Sequence, residues 1–296
     1  GNKYLDTAIA MSRLDDVIIT TFGDMLKVPG SRSSLIKERG AGGEIKIVYS
    51  PLDALKIANQ NPQKRVVFLG VGFETTAPTI ASTILAANQK DIKNFFVLTA
   101  HKTMPRAMTA ILDTEEIKIN GFICPGHVTT ITGIHIYDFI PEKYGVPCVV
   151  AGFEPVDVVN AVYHLVKMIT EQEPKVLNSY SRVVRENGNP VAKQVMAEVF
   201  EECDDHWRGI GVIPGSGLKI NEKYSQFDAA VQIEVEPEET VEHKGCRCGE
   251  ILRGVITPPE CPLFRKTCTI DHPIGSCMVS SEGTCAAYFK YYKQEE

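Results

Sequence analysis

Short apolar runs rich in β-branched and aromatic residues recur along the first three quarters of the chain, each closing in a Gly- or Pro-rich loop before a helix-like segment. This alternation is the strongest constraint on the fold, because strands joined by helical crossovers run parallel and need helices to cover their sheet. Strands are expected at residues 16–21, 44–49, 65–70, 94–99, 121–124 and 147–151, with helices between them. Ser50-Pro51-Leu52-Asp53 supplies a capping hydroxyl, a proline at the first helical position and an acid at the third, so a helix is expected through Ala58. Further helices are expected over 79–88 and over 157–170, the second with Val158, Val162, Leu165, Val166 and Ile169 as a core-facing stripe. The stretch 190–203 repeats that pattern through Val191, Val195, Val199 and Phe200.

The strand end Gly72-Phe73-Glu74 is echoed by Gly152-Phe153-Glu154-Pro155, and the same format recurs at 18–24 and 45–51. The expectation is an α/β fold with two similar parallel-sheet domains and a cysteine-rich C-terminal region. Residues 1–58 are read as the remainder of the first α/β domain, 59–175 as the second and 176–296 as the C-terminal region, with a boundary between about 171 and 189 where a polar turn falls.

With 296 residues, 44% hydrophobic and 23% charged, there is apolar material for substantial cores. The longest apolar runs, 95–98 and 146–150, fall far short of the roughly 20 residues that cross a bilayer. The 31 Lys and Arg are scattered among 37 acids for a net charge of −6, so no basic patch points to nucleic acid. Gly70-x-Gly72 and Gly209-x-Gly211 do not complete a dinucleotide fingerprint, and no Walker-type phosphate loop is present.

Of nine cysteines, Cys124, Cys148 and Cys203 stand alone, whereas Cys246, Cys248, Cys261, Cys268, Cys277 and Cys285 crowd the last 51 residues. A disulfide scaffold would be short and staple most of its length, so metal or redox chemistry in a reducing compartment is the better reading. Four-cysteine zinc sites bring their ligands in as Cys-x-x-Cys knuckles, and this tail contains none. A cubane iron–sulfur cluster also needs four thiolates but tolerates wide spacing, because each binds a separate iron. Two cysteines are then left over for a disulfide beside the cluster.

Ligands of open parallel sheets bind beyond the carboxyl ends of the strands. The loops there carry Glu74, Thr75, Thr76, His101, His127, Thr129 and Thr130, which offer carboxylate, hydroxyl and imidazole groups to a polar ligand or an iron ion. Against this, Thr76 ahead of Ala77-Pro78 reads equally as a helix cap, and His127 as a hydrogen-bonded loop histidine.

Together, Gly72-Phe73-Glu74-Thr75-Thr76-Ala77-Pro78, Cys124-Pro125-Gly126-His127-Val128 and the tail from Cys246 through Ser280-Ser281-Glu282-Gly283-Thr284-Cys285-Ala286-Ala287-Tyr288 closely resemble the HypD family of hydrogenase maturation factors, over essentially the entire chain. The resemblance implies two α/β domains related by an approximate two-fold, and a C-terminal iron–sulfur region with a [4Fe–4S] cluster like that of ferredoxin–thioredoxin reductase. It implies cluster ligands at Cys246, Cys261, Cys268 and Cys285, with Cys248 and Cys277 as a disulfide pair or alternative ligands that spacing leaves open. It implies a cytoplasmic scaffold for the Fe(CN)2CO unit of [NiFe] hydrogenases, working with a HypC-like small chaperone that brings iron and a HypE-like cyanide donor.

Family members also carry a Cys-Gly-x-His-Glu and a Gly-Pro-Gly-Cys-Pro-x-Cys segment that do not occur here. The chain begins at Gly1-Asn2-Lys3-Tyr4, in what should be the helix after them, so an N-terminal segment is expected to be missing, and with it a strand. On this reading Glu74, Thr75, Thr76 and His127 form the cleft, and a thiol–disulfide relay joins it to the cluster. Two other readings stand beside it: a free-standing iron–sulfur thiol–disulfide oxidoreductase, and a zinc-stabilised binding module.

Overall fold

The structure is a computed structural model that describes residues 2–207, 209–239, 243 and 245–292. Helix α1 (Asn2–Ser12) leads into β1 (Val17–Thr21), α2 (Leu35–Gly40), β2 (Ile45–Ile47), α3 (Pro51–Gln60), β3 (Arg65–Gly72), α4 (Ala77–Gln89) and β4 (Phe95–Lys102). The Ser50 hydroxyl accepts from the Leu52 amide at 3.2 Å and Pro51 opens α3, as the sequence signals. Four strands pair in parallel in the order β2, β1, β3, β4, and the apolar runs of β1, β3 and β4 are buried on both faces. One face carries Ile18, Val66, Phe68 and Val97 against α3 and α4; the other carries Val17, Ile19, Val67 and Leu69 against α1 and Leu35.

The chain then crosses over. Met108 and Leu112 of α5 (Met104–Leu112) pack onto a second sheet, formed by β5 (Phe122–Pro125), β6 (Cys148–Ala151) and β7 (Val176–Asn178), all parallel. Between β5 and β6 lie α6 (Gly126–Thr132), a 3-10 turn at Ile134–Tyr137 and α7 (Phe139–Tyr144); α8 (Pro155–Glu171) joins β6 to β7. Helix α9 (Pro190–Val199) returns to the first sheet, where β8 (Phe200–Trp207) and β9 (Gly211–Ile220) add an antiparallel edge beside β4. After α10 (Ala229–Gln232), the tail folds around α11 (Cys248–Leu252), α12 (Ser276–Val279) and α13 (Thr284–Tyr291). Gly1 lies outside the described residues.

The α/β class and the six expected strands are present, but four expectations need correction. Strands β1 and β3 pair directly, Ile18 with Val66, so a division between 58 and 59 would cut through one sheet. The C-terminal region assigned to 176–296 supplies β7 to the second sheet and β8 and β9 to the first, which is therefore mixed rather than parallel. The helix expected over 190–203 ends at Val199: Phe200 is buried in the first core as the opening residue of β8, and residues alternate from there. Finally, α8 turns Asp157, Ala161, Leu165 and Met168 inward, leaving Val158, Val162, Val166 and Ile169 exposed. Three strands of three or four residues offer room for one narrow stripe of a helix, and the small Ala161 lets α8 approach most closely along that line.

Candidate functional site

Glu74 leaves β3 through Gly72, whose φ of +129° and whose position against Thr76 exclude a side chain: a Cβ there would stand 2.4 Å from Thr76 Oγ1. Thr76 occupies the cap position of α4, yet its hydroxyl donates to the Val71 and Phe73 carbonyls at 3.0 and 3.2 Å, tying the loop rather than capping the helix. Thr75 is exposed. Glu74 is buried; Oε1 accepts from the Met104 amide at 3.0 Å, and Oε2 has no partner among the described residues. Burial holds its carboxyl above the usual range.

Glu74 faces the second sheet. Burial pushes the Tyr137 phenol up, and the nearby Cys124 and Glu74 push it in the same direction. Tyr137 hydroxyl lies 3.1 Å from Thr129 Oγ1, which itself donates to the Pro125 carbonyl at 2.8 Å. Thr129 and Tyr137 are thus interior groups that join the β5 loop to the side where Glu74 sits. Thr130 donates to the His127 carbonyl at 2.6 Å.

His127 is placed differently. Its ring is exposed and stacks on Phe153, 59% exposed, with centroids 4.5 Å apart. His127 and Glu74 therefore stand at the ends of different sheets, and no contact joins their side chains. His101 is buried within β4, stacked on Phe200 at 5.5 Å, so it is not a strand-end ligand donor.

Residues that the sequence reading passed over complete this face. Gly126 and Gly152 make room for Tyr180: a Cβ on either would come within 2.7 Å of the ring. The Arg182 guanidinium lies over that ring, 4.4 Å from its centroid, and donates to both Asp157 oxygens at 2.8 and 2.6 Å. Arg182 holds the Asp157 carboxyl below the usual range. The glycine pair was the available signal, since two strands ending in Gly leave space for a large side chain.

In the tail, Cys246, Cys248, Cys261, Cys268 and Cys285 line one narrow void of about 10 Å³ with Ile251, Leu263, Phe264 and Met278. Backbone turns aim these thiols: the Phe264 amide donates to Cys261 O at 3.0 Å and the Cys268 amide to Leu263 O at 2.9 Å. Gly275 is required beside them, because a Cβ would stand 2.4 Å from Cys248 Sγ and 2.6 Å from Cys246 Sγ. Contact with Cys246 holds the Cys248 thiol down, contact with Cys248 does so for Cys277, and both push Cys285 up, so the group favours a first thiolate and opposes the next. All nine cysteines are free thiols.

Cys277 reaches this group through its contacts with Cys248 and Cys285, and its other side lines a larger apolar cavity walled by Val71, Phe73, Lys102, Trp207 and Leu252. The cysteine tail thus abuts the β3 loop that carries Glu74. Among the described residues, no three His, Cys, Asp or Glu side chains converge to hold one metal ion. Thiolates are ligands of iron–sulfur groups and of structural zinc alike, and Cys246, Cys248, Cys261, Cys268 and Cys285 are the residues here that could hold either.

Residues 1–292 match the family described as HypD: Hydrogenase formation hypA family. A putative hydrogenase expression/formation protein of Methanocaldococcus jannaschii is 44% identical over 289 residues, 98% of this chain and 80% of that protein. The hydrogenase expression/formation protein HupD of Azotobacter chroococcum is 44% identical over 299 residues, 99% of this chain and 79% of its own. The hydrogenase maturation factor HypD of Escherichia coli is 42% identical over 292 residues, 98% and 78% of the two chains. A match that runs through both sheets and the whole cysteine tail makes this chain a member of the HypD family.

Proposed function

We propose that the protein serves in hydrogenase maturation as a scaffold on which the Fe(CN)2CO unit of [NiFe] hydrogenases is assembled, in company with a HypC-like small chaperone and a HypE-like cyanide donor. The observation that carries this reading is the ring of five thiols beside the loop of Glu74, with Cys277 between the thiol void and the apolar cavity. Cys246, Cys261, Cys268 and Cys285 would hold a [4Fe–4S] group, with Cys248 a fifth candidate on the same void. When bound, such a group supplies one-electron chemistry. Cys248 and Cys277, already in sulfur contact, are the pair for thiol–disulfide exchange: their S–S bond would form as an incoming disulfide is cleaved to two thiols, which take up the two protons and two electrons.

Iron carrying cyanide and carbonyl is cargo in this reading. The buried Glu74, with one oxygen unpaired, offers it a carboxylate from the first sheet, and His127 an accessible imidazole from the second. Thr76 acts by shaping the Glu74 loop.

Anaerobic purification with metal analysis and an absorbance spectrum is the test. About four irons per chain and broad absorption near 400 nm, both lost on replacing Cys261 and Cys268 by serine, are expected. One zinc and no colour would instead favour a binding module. His127→Ala in a hydrogenase-maturation assay is expected to lower the yield of active hydrogenase; unchanged maturation would remove His127 from the site.

A further inference from the structure

Three chain segments bring the tail thiols together: 246–248, the turn from Cys261 to Cys268, and α12 with α13, which carry Cys277 and Cys285. The second segment contains Arg265, whose backbone stands at φ +58°. Outside glycine, only Asp91 and Gln172 share this left-handed conformation among the described residues, and both stand just past a helix end, where it is common. Arg265 instead sits inside the turn. The Cys268 amide donates to the Leu263 carbonyl at 2.9 Å, and the Arg265 amide to the Cys268 carbonyl at 3.2 Å. Glycine takes this conformation freely and arginine does not, so the side chain of Arg265 has a backbone cost to offset.

That side chain reaches across to α13. Its Nη2 protons are shared among the carbonyls of Tyr292, Phe289 and Tyr288, at 2.7, 3.2 and 3.4 Å. These lie at the end of the helix whose first turn holds Cys285, where carbonyls run out of amide partners and a positive charge is favoured. The guanidinium carbon also lies over the rings of Phe264 and Phe289, 5.5 and 5.6 Å from their centroids, and the two rings meet edge to face at 6.1 Å. Phe264 lines the thiol void, whereas Arg265 is exposed and stands outside it.

We infer that Arg265 is a positioning residue for the group that the tail cysteines hold: it clasps the turn of Cys261 and Cys268 to α13, and so sets where Cys285 stands relative to them. The inference rests on the proposed binding of a metal group by these thiols. Arg265 acts through Phe264, through the Cys268 carbonyl and through the end of α13. At the other end of α13, Gly283 packs so closely on the backbone of Cys277 that a Cβ would stand 2.3 Å from its carbonyl oxygen. That contact fixes Cys285 relative to Cys277, and Arg265 adds the tie to Cys261 and Cys268. Lysine is a partial substitute, because its ammonium can donate to the same carbonyls but has no planar fork to lie across two rings.

Anaerobic loading of the intact chain with iron and sulfide, followed by release to an excess of a ferrous chelator, tests this. Arg265→Gly is the deciding variant, because it relieves the backbone while removing the clasp. Release at least about threefold faster than from the unsubstituted chain is expected, with Arg265→Lys between the two. Hydrogen exchange of the amides of 285–292 in the metal-free chain should quicken in the same order, which separates the clasp from any direct effect on iron. Release from Arg265→Gly as slow as from the unsubstituted chain, or Arg265→Lys no slower than Arg265→Gly, would overturn the inference. An unsubstituted chain that takes up no iron would instead overturn the metal-binding reading beneath it.

Discussion

The ring of His101 is buried beside Gly70 and Phe200, and its hydrogen bonds fix its tautomer. Thr99 donates its hydroxyl to the Leu218 carbonyl at 3.1 Å, so His101 Nδ1 donates to Thr99 Oγ1 at 2.9 Å and Nε2 is left unpaired in the core. Burial pulls the imidazole down to about 4. As pH falls, the unfolded chain takes up this proton near the ordinary value and the folded chain only near 4. Stability is therefore intact above about pH 6.5 and falls by about 3 kcal/mol toward pH 4. Urea unfolding between pH 7.5 and 4.5 should show that decline, with a shallower slope in His101→Gln; equal slopes would contradict it. Glu74 acts in the opposite sense, since a raised carboxyl favours the folded state at low pH and that contribution is lost as pH rises. Gly72→Ala, forced to φ +129° against Thr76, should cost on the order of 2 kcal/mol in denaturant unfolding. Glu74 and His127 were legible as strand-end residues, but their separation onto two sheets was not, because the two motifs share one local format.

At the scale of elements, Val199 and Phe200 satisfy a helical stripe and a strand start equally well, and pairing with β9 decides for the strand. Strand β9 escaped the sequence because its Gly and Pro residues hide the alternation. In the tail, short turns set the thiols, and Gly275 is the glycine packed directly against two of their sulfurs. Gly275→Ala should lower iron retained after anaerobic reconstitution by at least half while far-UV circular dichroism stays unchanged; full iron content would show that Cys246 and Cys248 can move aside.

Across the whole molecule, the tail is fastened to the loop between α5 and β5. The Lys118 amide donates to the Arg253 carbonyl at 3.0 Å, and Gly254, at φ +70°, would bring a Cβ within 2.9 Å of Lys118 O. Gly254→Ala should loosen this seam, so limited proteolysis should cut around the cysteine region sooner while the sheets keep their protection; an unchanged cleavage pattern would mean the tail is held elsewhere. Among the described residues, no helix is long and apolar enough to cross a membrane.

The sequence by itself determined the elements whose signals are local: the six strands, the Ser50 cap, the glycine-closed strand ends and the crowding of thiols in one tail. Backbone propensity and side-chain spacing suffice for these. Tertiary structure alone decided which strands share a sheet, which side of α8 is buried, and that Cys277 stands between the thiol void and the apolar cavity. Those outcomes depend on contacts between residues far apart in the chain, where the area available on one element selects which stripe of another is covered.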